Sequence, residues 1–515
     1  MGSADLTPKE MGVENGAPVV EVAGEVTRQV TARKATLDKS LLHGIAWSGG
    51  VKYLSQFLSW SSALVVTRLL TPADYGLVAM ATVYLGLITL ISEFGVGASI
   101  VTLRDLRKDQ IRQLNCFAVL LGLAGFIVSI FVAYPLSWFF RAPKLPPVVI
   151  VMSLAFVINS FKSVPGAVLE REMRFKSLSM IDGTRAVILA IGSITFALLG
   201  FRYWTLVMGA ILGAAVSTLM MLRTHRERFQ IPKVSGVRRA LTFSSHILGS
   251  RLSWYLYSNS DFAVAGRVLG QVPLGNYTVA WTLANVPLQT VSNLVASVTP
   301  SLFSAVQKDK SELRRYLLNL TEGLSLITFP LTVGLCLVAH PFVLVVLGAK
   351  WLPMVMPLQL LAVYASVRAI TPLLTPILNV TGDARYGMQV GFLTLALFPA
   401  AFLAGSHWGT AGIAAAWMVV HPFCMSFIFR RVFRRVELSG WEYLRAIRPA
   451  IEATVVMTVA VVFTKVLLRP YHAKPILGLS TQVAVGALAY IGTILLFHRD
   501  RIDAIWRRFK QARRS

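Results

Sequence analysis

Two cations, Lys52 and Arg251, lie deep inside long apolar stretches of the chain, 199 residues apart. Arg68 and Arg267 have the same separation, so the two cations occupy equivalent positions of an internal repeat. Because a cation in lipid is costly, we expect this pair to face a shared interior around a negatively charged group. The alternative is that the cations are buried in ion pairs with a carboxylate such as Asp261.

Three further cations lie within apolar segments. Arg368 is near the middle of its segment, and we expect it to line the same interior. Lys162 and Arg185 are nearer the ends of theirs, so their long side chains either line the interior or extend to the headgroups. The predicted anion-binding set is therefore Lys52, Arg251, Arg368, Lys162 and Arg185.

Three carboxylates are candidates for coupling to an ion: Asp261 first, then Asp182 and Glu93. A carboxylate in a membrane can exchange protons, or it can bind sodium together with nearby hydroxyls. Asp261 could instead only balance Arg251. Asp182 could pair with Arg185, three residues further along a helix. Glu93 lies near the end of its segment and could be an interfacial residue.

Motifs for catalysis or metal binding are missing from the sequence. There is no phosphate-binding G-x-x-x-x-G-K-[ST] motif, no H-E-x-x-H motif and no cluster of Cys and His. Cys116, Cys336 and Cys424 all lie in apolar segments, and we interpret them as core residues without disulfides. We therefore predict that the protein is not an enzyme and that it has no metal site and no cofactor.

The composition indicates which elements must position these groups. The chain has 515 residues, of which 55% are hydrophobic and only 14% are charged, with a mean hydropathy of +0.63. These values are typical of an all-α membrane protein with many spans. The net charge of +26 would suggest nucleic acid in a soluble protein. In a membrane protein, cytoplasmic loops and anionic headgroups explain it, so we predict no nucleic-acid partner.

About fourteen apolar segments are long enough to cross a bilayer of roughly 30 Å. They begin near Leu42, Tyr75, Asn115, Pro147, Met180, Tyr203, Leu241, Leu274, Glu322, Leu352, Tyr386, Gly409, Pro449 and Ser480. Connections after even-numbered segments are rich in Lys and Arg, except the one after segment ten, which has only Arg385, and the others are poor in them. The positive-inside rule then places both termini in the cytoplasm of a multi-pass protein. Four tryptophans fall at the predicted outer ends of segments, where an aromatic belt is expected: Trp138, Trp204, Trp351 and Trp408.

These segments divide the chain into six predicted regions. They are a disordered cytoplasmic tail (1–40), an N-lobe of six segments (41–222), a basic linker (223–240), a C-lobe of six segments (241–435), an extra helix pair (436–497) and a basic amphipathic tail (498–515). A solvated basic tail is the alternative for the last region.

A second pair of matching runs supports the repeat. Pro165 pairs with Pro376, and Arg174 pairs with Arg385, both at a separation of 211 residues. The matched segments run in the same predicted direction, so we expect two parallel six-helix repeats related by an axis along the membrane normal. An old duplication without functional symmetry would explain the matched Gly and Pro residues, but not the retained cations.

Three runs of residues resemble a known family. They are TRLLTPADYGLVAMATVYLGLITLISEFGVGASIV, LEREMRF, and SDFAVAGRVLGQVPLGNYTVAWTLANVP. The sequence resembles the polysaccharide transporter branch of the MOP flippase superfamily, which includes Wzx-type flippases, roughly from Lys39 to Arg435. The resemblance implies a V-shaped, two-lobed core whose central cavity opens alternately to each side, with a lipid-diphosphate-linked oligosaccharide as cargo.

This resemblance gives the polar neighbours of the cations a role. Gln56, Tyr255 and His246 would form a polar wall suited to a sugar, although small and polar residues also allow close helix packing. We expect a flippase of the bacterial inner membrane, coupled to H⁺ or Na⁺ and working with a polysaccharide polymerase and export machinery. A multidrug antiporter of the same superfamily would want acidic residues in its cavity. A membrane-embedded polymerase or transferase would need catalytic acids or a large loop.

Overall fold

The computed structural model describes residues 50–51, 53–93, 96–103, 105–232, 249, 251–468 and 474–499. Lys52, His246, the N-terminal tail, the C-terminal tail beyond residue 499 and residues 233–240 of the basic linker lie outside this part of the chain. The helices are α1 (53–69), α2 (Pro72–Glu93), α3 (Val96–Thr102), α4 (Lys108–Phe140), α5 (Leu145–Arg171), α6 (Phe175–Leu198), α7 (Trp204–Thr224), α8 (251–264), α9 (Gln271–Ala305), α10 (Lys310–Phe342), α11 (Val355–Ile370), α12 (Leu374–Val380), α13 (Ala384–Gly405), α14 (Gly409–Arg435), α15 (Gly440–Leu468) and α16 (Pro475–Phe497).

Short irregular helices join several of these elements. Ala265–Leu269 and Val343–Leu347 are π-helical, and each ends at a glycine with positive φ. Ala349–Met354, Thr371–Leu373 and Ser406–Trp408 are 3₁₀-helical. In lipid, a helix satisfies its own backbone groups, which explains why the described apolar segments are helical.

The multi-span all-α architecture predicted from composition is confirmed. Within the described residues, 10 helical stretches are long and apolar enough to cross a membrane, and one of them, Ala384–Arg435, contains both α13 and α14. Large apolar side chains on the outside of the bundle, such as Phe131 (74% exposed) and Leu496 (80% exposed), are typical of a lipid-facing surface. The count of fourteen and the complete six-plus-six repeat stay predictions.

The N-terminal helices pack mainly on one another, as do α9 to α14, and α2 and α9 join the two groups. The largest apolar core crosses this junction, since it contains Leu77 and Val148 as well as Leu274 and Trp417. The extra pair, α15 and α16, packs against α10.

Two glycines allow α2 and α9 to cross closely. A Cβ on Gly76 would lie 1.8 Å from the carbonyl oxygen of Gln271, and a Cβ on Gly275 would lie 1.8 Å from that of Pro72. Gly76 and Gly275 are separated by 199 residues, and so are Pro72 and Gln271. The contact is therefore reciprocal between positions that the predicted repeat pairs.

Two arginines at the predicted outer end reach across the same junction. In the Arg68 corner (Arg68, Val345, Lys350 and Trp351), Nη1 of Arg68 donates to the carbonyl oxygen of Val345 at 2.8 Å. In the Arg267 corner (Arg267, Phe139, Arg141 and Lys144), Nη1 of Arg267 donates to the carbonyl oxygen of Phe139 at 2.6 Å. The predicted repeat pairs Arg68 with Arg267, and each of these arginines donates a hydrogen bond to the other half.

The aromatic-belt prediction was wrong for one of its four tryptophans. Trp138 and Trp408 are 83% and 75% exposed, and Trp204 is half-buried. Trp351 is 0% exposed, and its Nε1 donates to the carbonyl oxygen of Thr67 at 3.0 Å. Its position in the chain places Trp351 at a helix end, but the crossing of the two halves encloses it.

Candidate functional site

Arg368, in the last turn of α11, is held by two residues of α9. Its Nη1 donates to Oδ1 of Asn285 at 2.8 Å, and its Cζ lies 5.5 Å from the centroid of the Trp281 ring. The side chain is half-buried. A guanidinium stacked on an aromatic face keeps its charge while using few of its five donors, so it remains able to bind an anion.

Asp261, on α8, is fully buried and accepts three hydrogen bonds. The Tyr277 hydroxyl donates to Oδ2 at 2.8 Å, the Trp417 Nε1 donates to Oδ2 at 3.0 Å, and the Phe262 amide donates to Oδ1 at 2.9 Å. Arg251 is exposed on the same helix. The side-chain partners of Asp261 are therefore aromatic residues, and Arg251 is not among its hydrogen-bond partners in the described structure.

An aromatic cluster connects these two sites. Trp417 lies 5.2 Å from Trp281 and 5.3 Å from Tyr364, measured between ring centroids. Trp417 donates a hydrogen bond to Asp261, and Trp281 contacts Arg368. The cluster of indole and phenol rings therefore lies between the carboxylate of Asp261 and the guanidinium group of Arg368. Sequence reasoning missed these aromatic residues. The signal available was that each intramembrane charge needs a donor or ring from a neighbouring segment.

Lys162 belongs to the other half of the molecule. Its Nζ donates to Oγ of Ser217 at 2.8 Å, which links α5 to α7. Ser217 is 3% exposed, so this ammonium group lies against the packed interior of the N-terminal group of helices. The described structure therefore does not bring Lys162 into the network of Arg368.

Tyr255 of α8 bridges the two halves. Its hydroxyl donates to the carbonyl oxygen of Val83 in α2 at 2.8 Å. A Cβ on Gly86 would lie 2.1 Å from that hydroxyl oxygen, so glycine is required for the contact. Tyr255 was predicted as a cavity residue, and in this structure it occupies the space between α2 and α8.

The remaining predicted residues are dispersed. Exposed side chains are those of Gln56, Asp182, Arg185 and Arg251. Glu93 ends α2, and its side chain, like Lys52 and His246, lies outside the described part. The facing pair of Lys52 and Arg251 thus stays a prediction.

A long apolar groove runs beside the Arg368 site. It has a volume of about 800 Å³ and is formed by α1, α9, α10, α15 and α16. Its walls include Phe57, Leu331 and Val483. On α9, Thr282 and Val286 line the groove, whereas their neighbours Trp281 and Asn285 contact Arg368. The same two turns of α9 therefore contact the groove through one face and the guanidinium group of Arg368 through a neighbouring face.

Two groups of spanning helices joined at a close crossing, with charged groups in the interior, define a polytopic α-helical membrane protein. A model of the family described as "Polysaccharide biosynthesis protein" matches residues 65–356, more than half of the chain. The chain belongs to this polysaccharide biosynthesis protein family, which confirms the resemblance predicted from the sequence runs.

Relatives extend over most of the chain. The lipopolysaccharide biosynthesis protein WzxC of Escherichia coli (strain K12) is 26% identical over 394 residues, 75% of this chain and 79% of WzxC. The succinoglycan biosynthesis transport protein ExoT of Rhizobium meliloti (strain 1021) is 24% identical over 478 residues, 90% of this chain and 94% of ExoT.

The fold is similar to that of a solved flippase. The structure described as lipid II flippase MurJ, inward closed conformation, has a TM-score of 0.69 at 14% sequence identity and covers 88% of this chain and 99% of MurJ. At this identity the likeness concerns the fold alone.

Proposed function

We propose that the protein is a flippase that moves polyprenyl-diphosphate-linked oligosaccharide units from the cytoplasmic to the outer leaflet of the bacterial inner membrane. The observation that carries this proposal is the arrangement on α9, where an apolar groove and a cation site flank the same two turns. A molecule with a long apolar chain and an anionic head matches both faces. The names of the relatives, in lipopolysaccharide and succinoglycan biosynthesis, agree with a saccharide on that head.

In the proposed mechanism, the two lobes rock about the α2–α9 crossing. Arg368 binds the diphosphate, helped by Arg251 and Lys52, while the polyprenyl chain stays in the groove or in lipid. Opening to the other side separates Tyr255 from the Val83 carbonyl, because this contact joins the lobes. Binding energy for the head group must differ between the two states for the cargo to shift their populations.

Asp261 is the proposed coupling residue for H⁺ or Na⁺. Its three donors all act on a group with 0% exposure, so its charge is very sensitive to the packing around it. Asp182 and Glu93 remain secondary candidates. A polysaccharide polymerase and export machinery are the proposed partners downstream.

A multidrug antiporter is the second candidate function. The observation that favours it is Asp261 among aromatic rings, since carboxylates and aromatic faces attract organic cations. Arg368 near the same rings opposes a cationic ligand. Transport assays with a labelled organic cation and with a labelled lipid diphosphate distinguish the two functions.

The test uses proteoliposomes and a polyprenyl diphosphate that carries one fluorescent sugar. Loss of a charged hydrogen bond to the diphosphate is worth about 1.5–3 kcal/mol, so Arg368→Ala should lower the translocation rate about tenfold or more. Arg368→Lys keeps a cation and should retain most of the activity. The double variant Lys52→Ala, Arg251→Ala should be inactive at a normal protein level.

Wild-type translocation by Arg368→Ala would show that the anion is bound elsewhere. A wild-type rate in the double variant would contradict the paired-cation hypothesis. An unchanged melting temperature of each purified variant is the control for misfolding.

A further inference from the structure

The Arg267 corner contains a cavity that the proposed transport cycle does not use. Its volume is about 540 Å³, and its wall is formed by the end of α4, the turn that follows, and Arg267 of the other half. We call it the outer pocket. Its lining residues are Tyr134, Ser137, Trp138, Arg141, Ala142, Pro143 and Arg267.

Both charged residues of the outer pocket are positive. Within the described residues, no hydrogen bond or ion pair involves the Arg141 guanidinium, and this side chain is exposed. Arg267 uses one donor on the Phe139 carbonyl and stacks on the Phe139 ring at 5.5 Å, which leaves other N–H groups free. The pocket therefore combines two guanidinium groups with no lining carboxylate.

Backbone geometry holds Arg141 at this wall. Arg141 caps α4 in the left-handed conformation, with φ 54°, and its amide donates to the carbonyl oxygen of Trp138. A residue other than glycine in this region is uncommon, and Asn tolerates it better than most. The guanidinium is thus presented from a tight turn and not from a mobile tail.

Aromatic side chains place the pocket at the level of lipid headgroups. Trp138 and Tyr134 are 83% and 67% exposed, which is typical of rings at a membrane–water interface. The planar guanidinium group of arginine binds two phosphate oxygens through parallel hydrogen bonds. This geometry suits a phosphate group at the level of the lipid headgroups.

We propose that the outer pocket binds the phosphate group of a lipid in the leaflet next to it, which the loop charges predict to be the outer leaflet. Two sources share this chemistry: the phosphodiester of an anionic phospholipid and the diphosphate of the translocated cargo. Binding of the phospholipid would make the pocket an anchor for the protein in the leaflet. Binding of the diphosphate would make it a site from which the translocated cargo is released. The pocket itself does not depend on the proposed transport function.

The experiment measures lipid retained by the purified full-length protein in native mass spectrometry. The probes are phosphatidylglycerol, phosphatidylcholine and a short polyprenyl diphosphate, each offered alone and in pairs. Arg141→Asn removes the charge but keeps the left-handed backbone. Lys144→Ala is the matched control, because Lys144 is exposed in the same turn and does not line the pocket.

Wild type should retain at least one of the two anionic lipids several-fold more than phosphatidylcholine, whose phosphate is neutralised by its own quaternary ammonium group. Arg141→Asn should lose most of this preference, whereas Lys144→Ala should keep it. Preference for phosphatidylglycerol assigns the anchor, and preference for the polyprenyl diphosphate assigns the release site. The proposal is overturned if Arg141→Asn binds like wild type, or if Lys144→Ala loses as much as Arg141→Asn.

Because no translocation step is measured, a failed flippase assay leaves this result interpretable. Arg141→Asn must also match wild type in melting temperature. A variant Arg141→Gly, which accepts positive φ without strain, replaces it if Asn lowers stability.

Discussion

The Arg68 corner and the Arg267 corner occupy positions that the predicted repeat pairs, yet one is closed and the other open. In the Arg68 corner, Lys350 donates to the carbonyl oxygen of Arg68 at 2.6 Å, and the buried Trp351 donates to that of Thr67. In the Arg267 corner, the matching Lys144, 206 residues before Lys350, is exposed. The arginine contact is present in both corners, but among the described residues only the Arg267 corner has cations, Arg141 and Lys144, whose side chains make no hydrogen bond.

The reason for the difference lies in one packed side chain. Trp351 contacts Tyr75 edge to face at 5.5 Å and fills the Arg68 corner. In the other corner, a Cβ on Gly266 would lie 2.8 Å from the Phe140 ring, so an apolar ring packs directly on backbone there. Gly266 is 199 residues after Thr67, so the predicted repeat pairs it with Thr67, whose carbonyl oxygen accepts the hydrogen bond from Trp351. This apolar contact uses no hydrogen-bond donors, so the guanidinium groups near it stay available for a ligand.

The largest expected effect on stability comes from substitutions at the α2–α9 crossing, which joins the two halves. Gly76→Ala and Gly275→Ala each place a methyl group 1.8 Å from a backbone oxygen, which no side-chain rotation relieves. Each variant should lower the free energy of unfolding by more than about 3 kcal/mol, above the usual range for overpacking, because backbone atoms and not side chains must move. Thermal unfolding in detergent checks this.

The control for the glycine variants is Gly323→Ala, in α10, because a Cβ there has no atom within 4 Å. It should be neutral or slightly stabilising. Similar losses in Gly76→Ala and Gly275→Ala would support a symmetric junction. A loss in only one of them would show that the reciprocal contact is not equally important on both sides.

The next largest effect is a difference in stability between a variant of the Arg68 corner and a variant of the Arg267 corner. Trp351→Leu removes a fully buried ring and its hydrogen bond and should lower stability by roughly 3 kcal/mol. Trp138→Leu, at the open corner, should change it by less than about 0.5 kcal/mol, because its ring is 83% exposed. Melting temperatures of the two variants at the same pH measure the contrast. Equal losses would mean that the open corner is also structural.

The smallest predicted effect compares two turns at the predicted inner end. Asp383, between α12 and α13, is buried and accepts hydrogen bonds from Arg435 and Arg431, whereas its repeat partner Glu172 is exposed. The Arg435 and Arg431 guanidinium groups hold the pKa of the Asp383 carboxyl well below its usual range. Asp383→Asn should therefore lower the melting temperature by a few degrees, and Glu172→Gln should not.

The pH dependence of this contrast has a definite sign. A carboxyl with a depressed pKa contributes stability above its ordinary pKa and loses it as the pH falls through the folded value. The difference between wild type and Asp383→Asn should be full at pH 6–8, and should shrink below about pH 4. A difference that grows toward low pH would contradict the assignment.

The sequence predicted more of the fold than of the site. Apolar segments, loop charge and the matched glycines indicated a repeated helical membrane protein, because bilayer thickness and backbone hydrogen bonding leave few alternatives. The same reasoning listed Arg368 and Asp261 as functional charges but gave no partner for Arg368 and none of the aromatic partners of Asp261. Their partners, Asn285 and Trp417, come from segments distant in the chain.

The sequence by itself determined the class of protein, the positions of the intramembrane charges and the spacing that matches Gly76 with Gly275. These features follow from local composition and from spacing, which the chain carries before it folds. Only the tertiary structure decided that Trp351 is enclosed, that Asp261 accepts hydrogen bonds from Tyr277 and Trp417 and that Arg141 and Arg267 line one cavity. Each of these depends on which side chains meet when separate helices pack, and packing at full density follows from shape in three dimensions and not from position along the chain.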